Sequence, residues 1–254
     1  MLDPRSYPIA DKSEAPLLDV RRLTARYGLA QVLFGVSLAV QRGEVVALMG
    51  RNGAGKSTTL RAIMGLVTAD CERMRFDGHD IAGLPAFRIA RLGLGYVPEE
   101  RRIFTDLTVF ENLEVGQRPA RGGREASTRE PWTLERLFTI FPNLAEMRGR
   151  RASAISGGEQ QMLTIARTLM GNPEMVLLDE PSEGLAPVIV EQMAEAVLRM
   201  KDAGVAVLLS EQNLHFAAAV SDRAVVIEKG TIRYEGTIAA LEADGTIRES
   251  YLTV

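Results

Sequence analysis

The chain has 254 residues, 46% apolar and 25% charged, with 23 glycines and 11 prolines; this is a globular composition and excludes collagen, a disordered tail and a disulfide miniprotein. Thirty Lys and Arg against 33 Asp and Glu leave a net charge of −3, so no global positive field draws nucleic acid and no such partner is expected. The one cysteine, Cys71, closes no intrachain disulfide and builds no zinc site alone, and no apolar run reaches half of the roughly 20 residues a membrane helix needs, so a cytosolic setting, or attachment to a membrane through partners, is expected.

Residues 1–16 carry Pro4, Pro8 and Pro16 and no apolar h-region, and read as a flexible lead, not a signal peptide. From Leu17 to Val40 two strand-like stretches flank Gly28-Leu29-Ala30, which predicts an antiparallel pair. A buried-strand run from Val45 to Met49 enters a Gly-rich turn, and a helical pattern follows from Lys56 to Met64. Residues 73–97 give short strands around a helix. From 98 to 151 strand runs vanish, which predicts an inserted helical subdomain with Trp132 as its packing anchor and a surface loop around Arg121 to Thr128. Alternation then resumes: helix 158–170, strand 175–178, helix 188–202, strand 205–209, helix 213–220, strand 224–227 and a hairpin at Lys229-Gly230. The predicted fold is α/β: a mostly parallel sheet covered by helices, with an antiparallel N-terminal β subdomain. The core takes residues 17–97 and 152–254.

Three motifs carry chemistry. Gly50-Arg51-Asn52-Gly53-Ala54-Gly55-Lys56-Ser57, followed by Thr58, fits G-x-x-x-x-G-K-[ST] between a buried strand and a helix. Its glycines let backbone N–H groups converge on phosphate oxygens at a helix N-terminus, Lys56 reaches the β/γ-phosphates, and Ser57 ligates Mg²⁺. The core is a P-loop nucleotide-binding one. Met175 to Leu178 run into Asp179-Glu180 at a strand's C-terminal end, where open α/β sheets bind ligands. Asp179 suits Mg²⁺, and Glu180 suits polarising an attacking water. Ile155-Ser156-Gly157-Gly158-Glu159 opens a helix; Ser156 and Glu159 fit a capping box, which leaves two consecutive glycines to explain. Ser156 to Glu159 form a second phosphate cradle, which one nucleotide cannot use together with the first, so it is expected to serve a neighbouring subunit.

Over residues 17–240 the sequence resembles the ATP-binding subunits of ABC transporters. GRNGAGKST resembles that family's Walker A motif, MVLLDEP its Walker B and ISGGEQQ its signature. The resemblance places Tyr27 as the adenine-stacking aromatic, Glu99 of YVPEERRIF in the Q-loop beside the metal, Ser182 to Pro187 in the D-loop, and Gln212 at the switch loop, where most members have His. VPE, SxGLAP and EQN together resemble the LivF-type branch, which serves bacterial branched-chain amino-acid importers. It implies an ATPase with ATP and Mg²⁺ bound head to tail between two subunits. It also implies a homologous second ATPase (or a second copy in isolation), two permeases, an indirectly coupled periplasmic solute-binding protein, and a place on the cytoplasmic side of the inner membrane. Urea or short-chain amide importers, a soluble non-transport ABC ATPase and a non-hydrolysing regulator are the rival readings. Met162, Met170, Met175, Met193 and Met200 read as core filler, His79 and His215 as surface, and Arg101-Arg102 as either a solvated pair or a face for the membrane subunits.

Overall fold

The computed structural model describes residues 15–118, 130–243 and 245. Most of the expected lead and the 121–128 loop lie outside the described residues. The chain begins with the antiparallel pair β1 (Leu18–Tyr27) and β2 (Ala30–Val40), joined at Gly28-Leu29. β3 (Val45–Met49) follows, then α1 (Lys56–Ile63) and three short strands, β4 (Ala69–Asp70), β5 (Arg73–Phe76) and β6 (His79–Asp80). Next come α2 (Ala86–Arg91) and β7 (Leu94–Val97), then α3 (Val109–Gly116), α4 (Leu134–Ile140) and α5 (Pro142–Glu146), with no named strand among the described residues between 98 and 151. The second half alternates: α6 (Gly157–Leu169), β8 (Met175–Asp179), α7 (Pro187–Asp202), β9 (Ala206–Glu211), α8 (Leu214–Val220), β10 (Arg223–Glu228), β11 (Thr231–Thr237) and α9 (Ile238–Ala243).

Two sheets form. One is antiparallel, in the order β2-β1-β5-β6 with β4 also on β1; the other is six-stranded, in the order β11-β10-β3-β9-β8-β7. All its pairings are parallel except β10 with β11. Every residue of β3, β8 and β9 is buried, as a parallel sheet covered on both faces requires. Alternation divides each strand between two cores. Val46, Leu48, Leu177 and Leu208 meet α1 and the antiparallel sheet, whereas Val45, Ala47, Leu178 and Leu209 meet α6, α7 and α8. The five methionines read as filler are all buried, and both histidines are exposed. Trp132 joins the second core; its backbone N–H donates to Asn172, and the Arg136 guanidinium lies 4.1 Å from the ring centre.

The strand ends came out within a residue or two of expectation. The two-residue strands β4 and β6 and the short α9 carry too few residues to show a period, and were not foreseen. What matters for function is the shared direction of β3, β7, β8 and β9: all four release their C-terminal loops along one edge of the sheet.

Candidate active site

The turn after β3 is shaped by its glycines. A Cβ on Gly50 would lie 2.4 Å from the Ile227 carbonyl oxygen, so only glycine allows that approach. Gly55 sits at φ 111°, which a side chain strains to adopt, and a Cβ there would press on Leu33 at 2.9 Å. Arg51, Asn52 and Gly53 are exposed, Ala54 is buried behind them, and Ser57 and Thr58 are half-buried on the first turn of α1. That turn has no acidic residue and no capping side chain, so its dipole faces outward uncompensated. An anion fits here.

Lys56 is 3% exposed and points back into the turn. Its Nζ donates to the carbonyls of Gly50 (2.9 Å) and Arg51 (3.2 Å) and lies 3.0 Å from Oε1 of Glu180. Glu180, one residue past β8, is itself 7% exposed and sits at φ 47°, an uncommon conformation for a non-glycine residue. The strain is held by Ser210 on β9, whose carbonyl and hydroxyl oxygens both accept the Glu180 N–H at 3.1 Å. Burial pushes the Glu180 carboxyl up, but hydrogen bonds from Glu183, Gln212 and Lys56 together hold it below the usual carboxylate range. It is therefore poised as an acceptor.

Asp179 is fully buried, and its two oxygens accept from the Ser210 hydroxyl (2.8 Å) and the Tyr96 hydroxyl (3.0 Å). Tyr96 in turn hydrogen-bonds Arg61 on α1, which pairs with Glu100 at 3.1 Å. Asp179 thus has neutral partners and no cation of its own among the described residues. Glu99 is exposed, yet its carboxyl is pushed up by partial burial and then by the negative charges of Glu180 and Asp179, so it belongs to the same acidic field. Among the described residues no three His, Cys, Asp or Glu cluster as a self-sufficient metal site. A buried carboxylate whose partners are neutral hydroxyls fits Mg²⁺, which binds one or two protein oxygens together with substrate phosphates.

Gln212 joins the two halves. Its Nε2 donates to Oδ1 of Asn52 in the turn (2.8 Å) and to Oε2 of Glu180 (2.9 Å). The side chain that the resemblance places at the switch loop is thus a clamp on Glu180. Gln212→Ala is expected to lower ATP turnover by about 10-fold, the loss of one oriented contact, and by less than Glu180→Gln does. Steady-state rates of the two variants side by side check the ranking. Glu183 lies in the stretch that resembles the D-loop, but the sequence gives it no role of its own, because an acid in a loop carries no local signal. Its carboxyl is pushed up to about 7, first by a hydrogen bond to Glu180 and then by burial and the charges of Glu180 and Glu99, so a titration near neutrality sits beside the acceptor.

Two expected residues stand apart. Tyr27 is half-exposed at the end of β1, with its hydroxyl among the groups acting on Arg61. Ser156 caps α6 in a capping box with Glu159: the Ser156 N–H donates to the Glu159 carboxylate at 2.6 Å, and the Glu159 N–H to Ser156 Oγ at 3.4 Å. Packing accounts for one of the two glycines there. A Cβ on Gly158 would meet Ile189 of α7 at 2.7 Å, whereas at Gly157 it would meet only the movable end of Arg101. Among the described residues, Ser156 to Glu159 make no hydrogen bond or ion pair with Lys56, Asp179 or Glu180.

The ABC transporter family model matches residues 33–183. The high-affinity branched-chain amino acid transport ATP-binding protein BraG of Pseudomonas aeruginosa is 42% identical over 236 residues, 93% of this chain and 99% of BraG. The lipopolysaccharide export system ATP-binding protein LptB of Escherichia coli is 35% identical over 235 residues, 92% and 96% of the two chains. Among solved structures, the ADP conformation of an ATP-binding cassette of an ABC transporter superposes with a TM-score of 0.76 at 28% identity, over 93% of this chain and 98% of that one. The residues matched by the family model include the Gly50–Ser57 turn, the Ser156–Glu159 helix start and the Asp179–Glu180 strand end. The chain belongs to the ABC transporter family and is one of its ATP-hydrolysing cassettes.

Proposed function

We propose that this chain powers an importer of branched-chain amino acids from the cytoplasmic side of a bacterial inner membrane. The observation that carries the hydrolytic part is the Lys56–Glu180–Gln212–Asn52 chain of contacts beside Asp179, which sets a cation, an acceptor and a metal carboxylate on one sheet edge. The substrate class is supported by the similarity to BraG, which exceeds that to LptB. Urea and short-chain amide transport, or a soluble role, have no observation of their own in their favour.

In this reading the Gly50–Thr58 turn and the start of α1 bind the phosphates of ATP, and Tyr27 stacks on the adenine. Lys56 exchanges Glu180 for the β/γ-phosphates, which frees the Glu180 carboxylate to accept a proton from water. Asp179, Ser57 and Glu99 would hold Mg²⁺, which supplies charge neutralisation on the phosphates. Gln212 orients Glu180 through its amide. Ser156 to Glu159 serve the nucleotide of a second ATPase, homologous or identical, because they stand apart from this chain's own site. We assign residues 98–151 to a helical subdomain and the flanking 17–97 and 152–254 to the core.

We assign the face toward the permeases to the groove between α2, β7, α3 and α6, a volume of about 490 Å³ that Arg102 also lines. Leu66, Phe104 and Val115 are exposed along it, with the Arg167 guanidinium 4.8 Å from the Phe104 ring centre. No helix among the described residues is long and apolar enough to cross a membrane, so membrane work requires such partners. Purification of the intact complex, followed by ATP-dependent leucine uptake in proteoliposomes, tests the proposal; a complex that retains ATPase activity but imports only urea or amides would replace the substrate.

Ser156→Arg is expected to leave ATP binding to the isolated chain within about 2-fold by calorimetry, since the side chain only caps α6 here, while turnover of the dimer falls by at least about 100-fold. Loss of ATP binding in the isolated variant contradicts a role in the neighbour's site.

A further inference from the structure

Glu211 is a buried carboxylate with no part in the reading above. It ends β9, a strand buried along its whole length, and is 2% exposed. No cation pairs with it among the described residues. Backbone N–H groups serve it instead, together with the Ser182 hydroxyl: the Ser182 N–H donates to Oε1 at 3.1 Å, and the Gln212 and Asn213 N–H groups both donate to Oε2 at 3.1 Å. These donors belong to two different loops. Ser182 lies three residues past β8, next to Glu183, which hydrogen-bonds Glu180; Gln212 opens the loop whose amide clamps Glu180 and Asn52. Asn213 is fixed as well, because its side chain caps α8 by accepting the Phe216 N–H at 3.1 Å.

Burying a carboxylate without a cation costs free energy that an apolar residue in the same place would not incur. Its return here is geometric: charge-assisted hydrogen bonds to N–H groups are short, directional and stronger than neutral ones, and a single side chain spans both loops. We propose that Glu211 is a positioning residue for ATP hydrolysis, tying the Ser182–Glu183 segment to the Gln212 loop so that both hold the Glu180 carboxylate in one orientation. The inference rests on Glu180 being the proton acceptor, and it extends the site by one residue that never touches substrate. Ser182 is itself buried, whereas Glu183, Gly184, Ala186 and Pro187 after it are exposed, so the tie to Glu211 is made where this segment enters the interior.

The test is Glu211→Gln, which has the same shape but one acceptor oxygen in place of two. Whichever way the amide turns, backbone N–H groups of one loop lose their acceptor: that of Ser182 in one orientation, those of Gln212 and Asn213 in the other. Expected is a fall of about 10-fold in kcat, the effect of a small misplacement of a reacting group, with KM and the calorimetric Kd for ATP within 2-fold and faster hydrogen exchange in residues 181–186 or 212–216. In a Gln212→Ala background the same substitution is expected to lower kcat by clearly less than it does in the wild type, because the Gln212 route to Glu180 is already gone and only the Glu183 route is left to position. A wild-type kcat for Glu211→Gln, or the full loss repeated in both backgrounds, overturns the proposal. Should Glu211→Gln fail to fold, Glu211→Asp keeps the charge but is one methylene short of spanning both loops; the same loss is expected, and wild-type kcat there overturns the proposal too. An active Glu211→Gln beside an inactive Glu180→Gln defeats this inference alone, whereas an active Glu180→Gln defeats the assignment of Glu180.

Discussion

Glu180→Gln is expected to lower steady-state ATP turnover by about 100- to 10,000-fold, the range associated with removing a general base, while ATP binding stays as tight as in the wild type or becomes tighter. The first half follows because an amide cannot take the proton from water that the carboxylate is placed to accept. The second half follows from the 3.0 Å Lys56–Glu180 pair: phosphate must compete with Glu180 for the lysine, and the neutral amide is the weaker competitor. With ATP and Mg²⁺ the variant should therefore accumulate as a dimer on size-exclusion chromatography. Monomeric elution at saturating ATP would count against shared nucleotide sites, and near-normal turnover would move the base elsewhere.

Lys56→Ala carries the second large effect, and it acts in two places. Hydrolysis should become undetectable, because loss of a charged phosphate partner in a preorganised site costs about 3–4 kcal/mol in the transition state alone, and ATP binding weakens with it. The folded protein is affected too. Removing one partner of a buried ion pair costs about 3–5 kcal/mol when the other charge stays uncompensated; the Gln212 contact to Glu180 survives and moderates this. A melting temperature lowered by several degrees is expected, and more so at neutral than at acid pH, where protonation relieves the stranded carboxylate. The sign follows from the pair: Lys56 helps to hold the Glu180 carboxyl below its ordinary range, so its stabilisation is present above that range and is lost as pH falls. Calorimetric binding together with thermal melts at two pH values checks both parts.

The parts of this site visible in the sequence are those in which chemistry is written into adjacent residues. The Gly50–Ser57 turn and the Met175–Glu180 strand end could be read because a buried strand must stop where the polar motif begins. What stayed hidden depends on strand register. Ser210 reaches Asp179 only because β8 and β9 pair in parallel with those two residues opposite, and Tyr96 reaches Asp179 only because β7 lies on the other side of β8. Nothing in the local pattern around Ser210 or Tyr96 marks them. Gln212 was legible as a loop residue near the phosphates, but its grip on Glu180 and Asn52 needed three loops from separate strands. Glu183 and Glu211 fall in the stretches that resemble the D-loop and the switch loop, but their contacts across those loops carry no local signal for the same reason. The second glycine of the α6 start taught the opposite lesson: its close packing on Ile189 is a structural reason that sequence reasoning had no means to see.

The central claim is that each nucleotide is hydrolysed between the Lys56 side of one chain and the Ser156 side of another. Mixing Lys56→Ala protein with Ser156→Arg protein tests it most directly. Each variant alone should be inactive. In the mixture, randomly formed dimers are mixed half the time, and each mixed dimer has one site with both elements intact, so about a quarter of the wild-type ATPase rate should return. A mixture as inactive as its components would mean that both elements act within one chain, and the shared-site account would be wrong.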